Sequence, residues 1–435
     1  MLSIEGNTVN IDGLTRARVE VDNDGLISRV GEPTGSADVI LKDELIFPGF
    51  IDLHVHAREC ADHSWNYKED FASAAAAAIN GGVVAFADMP NNPVPPVDEK
   101  SYADKFQLAK KSPVEVVLYA GVGPETNPFT CSVPIPCRST GQVYGLSEPP
   151  INRHATIHPP YKVFMGQSIG DLFFSSRDEI EAVISKYGGQ SVSFHCEDPE
   201  ILEINKSQPD HELRRPKEAE ISAIDFALML IKKYNLKGKI CHCSTMEGLQ
   251  KIISAKKAGV SVTVEVTPHH LYFDNTMLSE ANHKFLQVNP PIRQSKENRL
   301  ALIAALKSGD IDYLATDHAP HTIAEKEKGT SGMPHLDTYG PFAAWLIKEH
   351  NFTPQEIARV CSYNPAQFFN QFSEFKYGKI EPGFVGSLTV IDMHKPVKIQ
   401  KSMLKTKCGW SPFEDITFPG RVVNTIVRGK VYNIG

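Results

Sequence analysis

Two histidines separated by one residue, His54 and His56, are the first side chains in this sequence with chemistry to offer. They follow Leu45-Ile46-Phe47-Pro48-Gly49-Phe50-Ile51-Asp52-Leu53, an apolar, β-favouring run that reads as a strand buried on both faces. Side chains two apart in a strand share a face, so both imidazoles present together, and Arg58 continues the alternation toward the same side. Neutral imidazole is the commonest protein ligand for zinc-like ions. An isolated pair of this kind also occurs as ordinary core histidines, so the rest of the chain must decide.

Further polar residues fall near the ends of other apolar runs: Asn91, Lys162, His195, His242, Glu265 and Asp317. Four His, one Asp and one Lys suit a metal centre only if the lysine is accounted for. A free ammonium repels a cation, so Lys162 is an ion-paired or catalytic amine, or it reacts with carbon dioxide to form an N-carboxylysine whose two oxygens bridge two metals. Two histidines upstream and two downstream favour the bridge. A metal pair can hold a hydroxide and polarise a carbonyl. A carboxylate at Asp317 can ligate metal, take the proton of attacking water and return it to a leaving nitrogen. His318 and His321 follow, as substrate contacts or, for His318, as a solvent-exposed loop residue. Cys131 and Cys137 read as ordinary thiols. In Cys241-His242-Cys243, strand alternation predicts His242 inward and both cysteines outward against helices.

These residues need a scaffold that gathers strand ends. Between residues 48 and 380, runs such as Val83–Asp88, Tyr161–Phe164, Ser191–His195, Val260–Glu265 and Ile311–Asp317 alternate with helix-like stretches. With the opening strand they make eight, the count of an α/β fold of the (β/α)8 TIM-like barrel kind, whose active sites sit at the C-terminal strand ends. Residues 1–47 and 381–435 are strand-rich and are expected to pair into one small β-sandwich lobe made from both chain termini. In the stretch 319–336, Gly329 and Gly332 are compatible with a mobile lid without establishing one, and His335 has no evident role.

Composition narrows the partners. Over 435 residues the chain is 41% hydrophobic and 22% charged, with a net charge of -7, which fits a globular protein and argues against nucleic acid or a membrane surface. No apolar run approaches a membrane span and the first residues lack a signal-peptide pattern. Eight scattered cysteines suggest reduced thiols, hence a cytoplasmic protein.

The motifs together resemble the amidohydrolase superfamily and, within it, the dihydroorotases. The resemblance runs from Phe47-Pro48-Gly49-Phe50-Ile51-Asp52-Leu53-His54-Val55-His56 to Gly420-Arg421-Val422-Val423-Asn424-Thr425-Ile426-Val427-Arg428-Gly429. It implies two zinc ions, one on His54 and His56, the other on His195 and His242, bridged by carboxylated Lys162, with Asp317 as ligand and acid/base. Glu265 matches a position that approaches a third metal in some relatives. Arg58, Asn91, Arg293 and His321 match substrate contacts, and a cationic Arg58 suits a ring carboxylate. The implied reaction is the reversible cyclisation of N-carbamoyl-L-aspartate to L-dihydroorotate in pyrimidine biosynthesis, by an enzyme expected to be a homo-oligomer. The sequence departs from the family at Arg58-Glu59-Cys60, at Met89-Pro90-Asn91-Asn92 and in the loops before Lys162 and around Gly332. Two alternatives stay open: a dihydropyrimidinase-, hydantoinase- or allantoinase-type cyclic amidohydrolase, and a non-catalytic scaffold homologue.

Overall fold

The computed structural model describes residues 1–134, 154–167, 172–293 and 295–435; Cys137 lies outside them. Eight parallel strands follow in chain order: β1 (Phe50–Val55), β2 (Val83–Asp88), β3 (Glu115–Leu118, resumed at Ala120–Val122), β4 (Tyr161–Phe164), β5 (Ser191–His195), β6 (Lys237–Ile240), β7 (Val262–Val266) and β8 (Tyr313–Leu314). Tyr119 interrupts β3 and divides the ladder into two sheets, although the chain runs on between them. At the other seam, a parallel Val55–His318 bridge and the bond from the His56 N–H to His318 O (2.8 Å) join the last strand end to the first. The result is the (β/α)8 barrel the alternation predicts.

The helix Phe71–Asn80 shows how local sequence builds the outer layer. Asp70 and Ser73 form a reciprocal capping box at its start. Phe71, Ala74, Ala75, Ala77 and Ala78 are buried, and the small alanines let the helix lie close to the strands. Gly81 ends it where a Cβ would sit 1.8 Å from Leu336 O, so alanine there would force backbone to move.

Both termini meet in one seven-stranded sheet, ordered Lys430–Asn433, Arg421–Val427, Leu388–Asp392, Val39–Pro48, Leu2–Asn10, Gly13–Val21 and Ile27–Gly31. A Leu26–Val385 bridge and the bond from the Ile27 N–H to Phe384 O (2.8 Å) tie the edge strand to the lead-in of Leu388–Asp392. The sheet therefore curls on itself, and Ile4, Val19, Val21, Ile46, Leu388, Val390 and Ile426 form a core separate from the barrel's.

The structure corrects the reading of Leu45–Leu53 as one strand. The chain changes sheets at Gly49, where a Cβ would lie 2.2 Å from a Val84 methyl, so only glycine permits the crossing. Residues 405–410 also leave the lobe and cross the barrel mouth. Thr406 bonds Glu69 through its hydroxyl, and the Trp410 indole N–H donates to His321 O (2.7 Å).

Candidate metal centre and substrate pocket

His54 at the end of β1 and His56 just beyond it face one cavity, their ring centroids 5.3 Å apart. Asp317, just past β8, places Oδ1 3.2 Å from His54 Nε2 and 3.0 Å from His56 Nε2. Across the cavity, His195 Nδ1 lies 2.9 Å from His242 Nε2, and the His54 and His242 rings are 5.3 Å apart. The strand ends thus bring all four imidazoles and Asp317 together. Positive φ at Arg58, His242 and Asp317 places three non-glycine residues of the site in the left-handed region, strain typical of functional sites.

The far nitrogens decide the tautomers. His56 Nδ1 donates to Asn91 Oδ1 (2.7 Å), His195 Nε2 donates to Glu197 Oε2 (2.8 Å), and His54 Nδ1 is in short contact with Glu265. Each donation leaves a lone pair on the nitrogen that faces the cavity. Burial lowers the pKa of His54 to about 3 and holds His56, His195 and His242 below their usual value, so all four stay neutral, the form that binds metal. Burial also pushes Asp317 up to about 8, with Lys162 opposing. The donor set fits a metal pair.

Lys162, fully buried on β4, has its Nζ 2.8 Å from Cys241 Sγ, and among the described residues no ion pair includes it. That contact overturns the expectation that Cys241 points outward. β6 ends at Ile240 and His242 takes φ 34°, so alternation does not carry past the strand, and Cys241 and His242 both reach the interior. Cys241, His54 and Glu265 bring candidate ligand atoms within 4.8 Å of one another. Glu265 is also engaged by Lys239 (2.7 Å), behind His54 and away from the cavity lining. Burial alone would raise its carboxyl, but Lys239 and His54 hold it well below the usual range.

The lining includes Arg58, Asn91, Asn289, Ser331 and Gly332 beside the histidines and Asp317. Arg58 is 1% exposed; its Nη2 lies 3.2 Å from His321 Nε2, while Nε and Nη1 have no hydrogen-bond partner. Burial lowers its pKa to about 10, still a cation at neutral pH. His321 is fully buried between Arg58 and the Lys68–Glu325 pair. Arg293, expected among the substrate contacts, is not brought to the cavity. Its guanidinium bonds Ser244 Oγ (2.9 Å), Arg215 O (2.9 Å) and Glu220 Oε2 (3.0 Å). From the same segment Asn289 lines the pocket, its Oδ1 buried without a partner. His318 is fully buried, contrary to the exposed alternative, with Nδ1 accepting from the His335 N–H (3.0 Å). His335 packs on His269, whose Nδ1 is 3.0 Å from His335 Nε2.

Sequence reasoning missed Cys241, Lys239, Glu197 and Asn289. The Cys241-His242-Cys243 run flagged the first; Glu197 lies two residues past His195 and Asn289 four before Arg293, while Lys239 carries no local signal.

Among the described residues, no helix is long and apolar enough to cross a membrane. The sequence matches the Amidohydrolase family over residues 45–432. It is 33% identical over 436 residues to the dihydroorotase of Thermococcus kodakarensis, covering 99% of this chain and 94% of that one. It is 32% identical over 409 residues to the dihydroorotase of Methanosphaera stadtmanae, covering 90% and 86%. Among solved structures it resembles the L-hydantoinase (dihydropyrimidinase) of Arthrobacter aurescens, with a TM-score of 0.82 and 22% identity over 99% of this chain and 96% of that one.

Proposed function

The chain belongs to the amidohydrolase family, and from that premise we propose that it is a dihydroorotase, interconverting L-dihydroorotate and N-carbamoyl-L-aspartate. The observation that carries this reading is Arg58. A buried guanidinium with two unpartnered donors, on the wall of the cavity that holds the histidines, is costly unless an anion completes it. The ring carboxylate of dihydroorotate is such an anion, whereas an uncharged dihydropyrimidine, hydantoin or allantoin ring would leave Arg58 unpaired.

His54, His56 and Asp317 would hold one zinc, His195 and His242 a second, with carboxylated Lys162 between them. Glu265 with Cys241 is the candidate third site. When bound, the metals supply a Lewis acid that polarises the ring carbonyl and lowers the pKa of the attacking water. Glu265, Asn91 and Glu197 hold His54, His56 and His195 in the tautomers described above. Arg58, His321 and Asn91 hold the carboxylate end of the ring. Asp317 accepts the proton of the attacking water and returns it to the leaving amide nitrogen; in cyclisation the same carboxylate takes the proton from that nitrogen. Arg293 acts at a distance, bracing the pocket through Glu220. The same reading makes the protein a cytoplasmic homo-oligomer, with residues 48–380 as the catalytic barrel and 1–47 and 381–435 as the lobe.

Ring opening of L-dihydroorotate by protein of assayed zinc content tests the proposal. Turnover lost on chelation and restored by zinc is expected; a zinc-loaded protein inert toward L-dihydroorotate would contradict it.

A further inference from the structure

We propose that Lys326 is a positioning residue of the substrate pocket, its buried ammonium tying together the two loops, 287–293 and 329–332, that line the pocket's outer side. This rests on the dihydroorotase reading for its substrate, though not for its geometry.

Lys326 lies in the short helix Ile323–Glu327 and is fully buried. Its Nζ donates to Gln287 O (3.1 Å), Thr330 O (2.6 Å) and Gly332 O (2.9 Å), which uses all three N–H groups of an ammonium. Among the described residues it forms no ion pair. Burial pulls its pKa down to about 7, with Cys408 opposing, and three accepting carbonyls suit the charged form. A methionine of similar length would fill the space without burying a charge, but it would take the donor away from the Gln287, Thr330 and Gly332 carbonyls.

The acceptors explain its presence. Gln287 belongs to the segment that supplies Asn289, and Thr330 and Gly332 flank Ser331; Asn289, Ser331 and Gly332 all line the cavity. The two loops touch directly through the Gly332 N–H, which donates to Gln287 O (2.9 Å). Gly332 takes φ 132° and presses on His321: a Cβ there would lie 3.0 Å from His321 Cδ2 and 2.6 Å from Ala319 O. This close approach couples the loop to His321, and through His321 Nε2 to Arg58 Nη2. Lys326 holds the two loops in one geometry beside the cavity.

The test compares Lys326→Met and Lys326→Gln with the zinc-loaded wild type by steady-state kinetics and residue-resolved hydrogen exchange. Expected are a loss in kcat/KM for L-dihydroorotate on the order of 100-fold, as for a misplacement of about 1 Å, and faster exchange at the Gly332 amide with the terminal lobe unchanged. Wild-type exchange at Gly332 in both variants would overturn the proposal. Acceleration spread evenly over the chain would mark a merely structural lysine and overturn it too, as would faster local exchange with unaltered kcat and KM. A wild type silent on L-dihydroorotate would sink the substrate reading, while the exchange result would still decide whether Lys326 holds the loops.

Discussion

Arg58→Met separates binding from folding more cleanly than any other substitution in the pocket. Both side chains carry a Cβ, so the strain of φ 63° is common to them and cancels. In the free protein the change removes one contact to His321 (3.2 Å), worth about 1 kcal/mol, and two unsatisfied buried donors, each costing about 1–3 kcal/mol. The variant should therefore melt no lower than wild type. In the complex it removes the cationic partner of a buried carboxylate, a loss of about 2–5 kcal/mol. With His321 and Asn91 still present, about 3 kcal/mol is expected, which is roughly a 150-fold fall in kcat/KM for L-dihydroorotate. Because the carboxylate is bound in ground state and transition state alike, most of the fall should appear in KM. Initial rates and thermal melts on one preparation read both arms. Unaltered kcat/KM would refute the assignment of the anion pocket, and a marked drop in melting temperature would refute the claim that Arg58 is there for the ligand.

Asp317→Asn should lower kcat by about 10²–10⁴-fold with the circular dichroism spectrum retained; wild-type turnover would remove its proton-transfer role. Arg293→Ala should cost stability, about 3–5 kcal/mol from uncoupling buried Glu220, with KM nearly unchanged, read by denaturant melts and kinetics. His211 is buried, its Nε2 donating to Val288 O (2.9 Å), and burial lowers its pKa from 6.5 to about 4. Its stabilising share is complete above pH 6.5 and is lost as pH falls through 4, because the unfolded chain takes up a proton the fold refuses. Between those values its slope approaches about 1.4 kcal/mol per pH unit. His211→Gln keeps a donor and should flatten the acid limb of stability against pH by that amount; an unchanged limb would show the group does not titrate as described.

The residues proposed to hold metal were legible as one cluster because each lies at or just past a strand end, where a local pattern fixes both element and direction. His54, His56, Lys162, His195, His242 and Asp317 are all of this kind. What failed depends on long-range partners or on geometry past the strand. Alternation put Cys241 outside, but the strand stops one residue earlier and the backbone turns. Arg293 matches a substrate contact by resemblance, yet Glu220, 73 residues away, holds its guanidinium. Lys239 gains its meaning only through Glu265 and Leu53 on other strands, whereas Glu197 lies just two residues past His195, its second partner being Arg215. Gly49, inside an unbroken apolar run, separates two sheets because of its contact with Val84, which no periodicity records. The crossing of residues 405–410 over the barrel mouth likewise has no signature in composition.

The most direct measurement is kcat/KM for L-dihydroorotate beside dihydrouracil, hydantoin and allantoin, on one preparation with its zinc content assayed. Turnover confined to L-dihydroorotate, lost with a chelator and restored by zinc, is the expected result. Turnover of the uncharged rings with none of L-dihydroorotate would contradict the reading of Arg58 as the carboxylate's partner, and with it the proposed substrate.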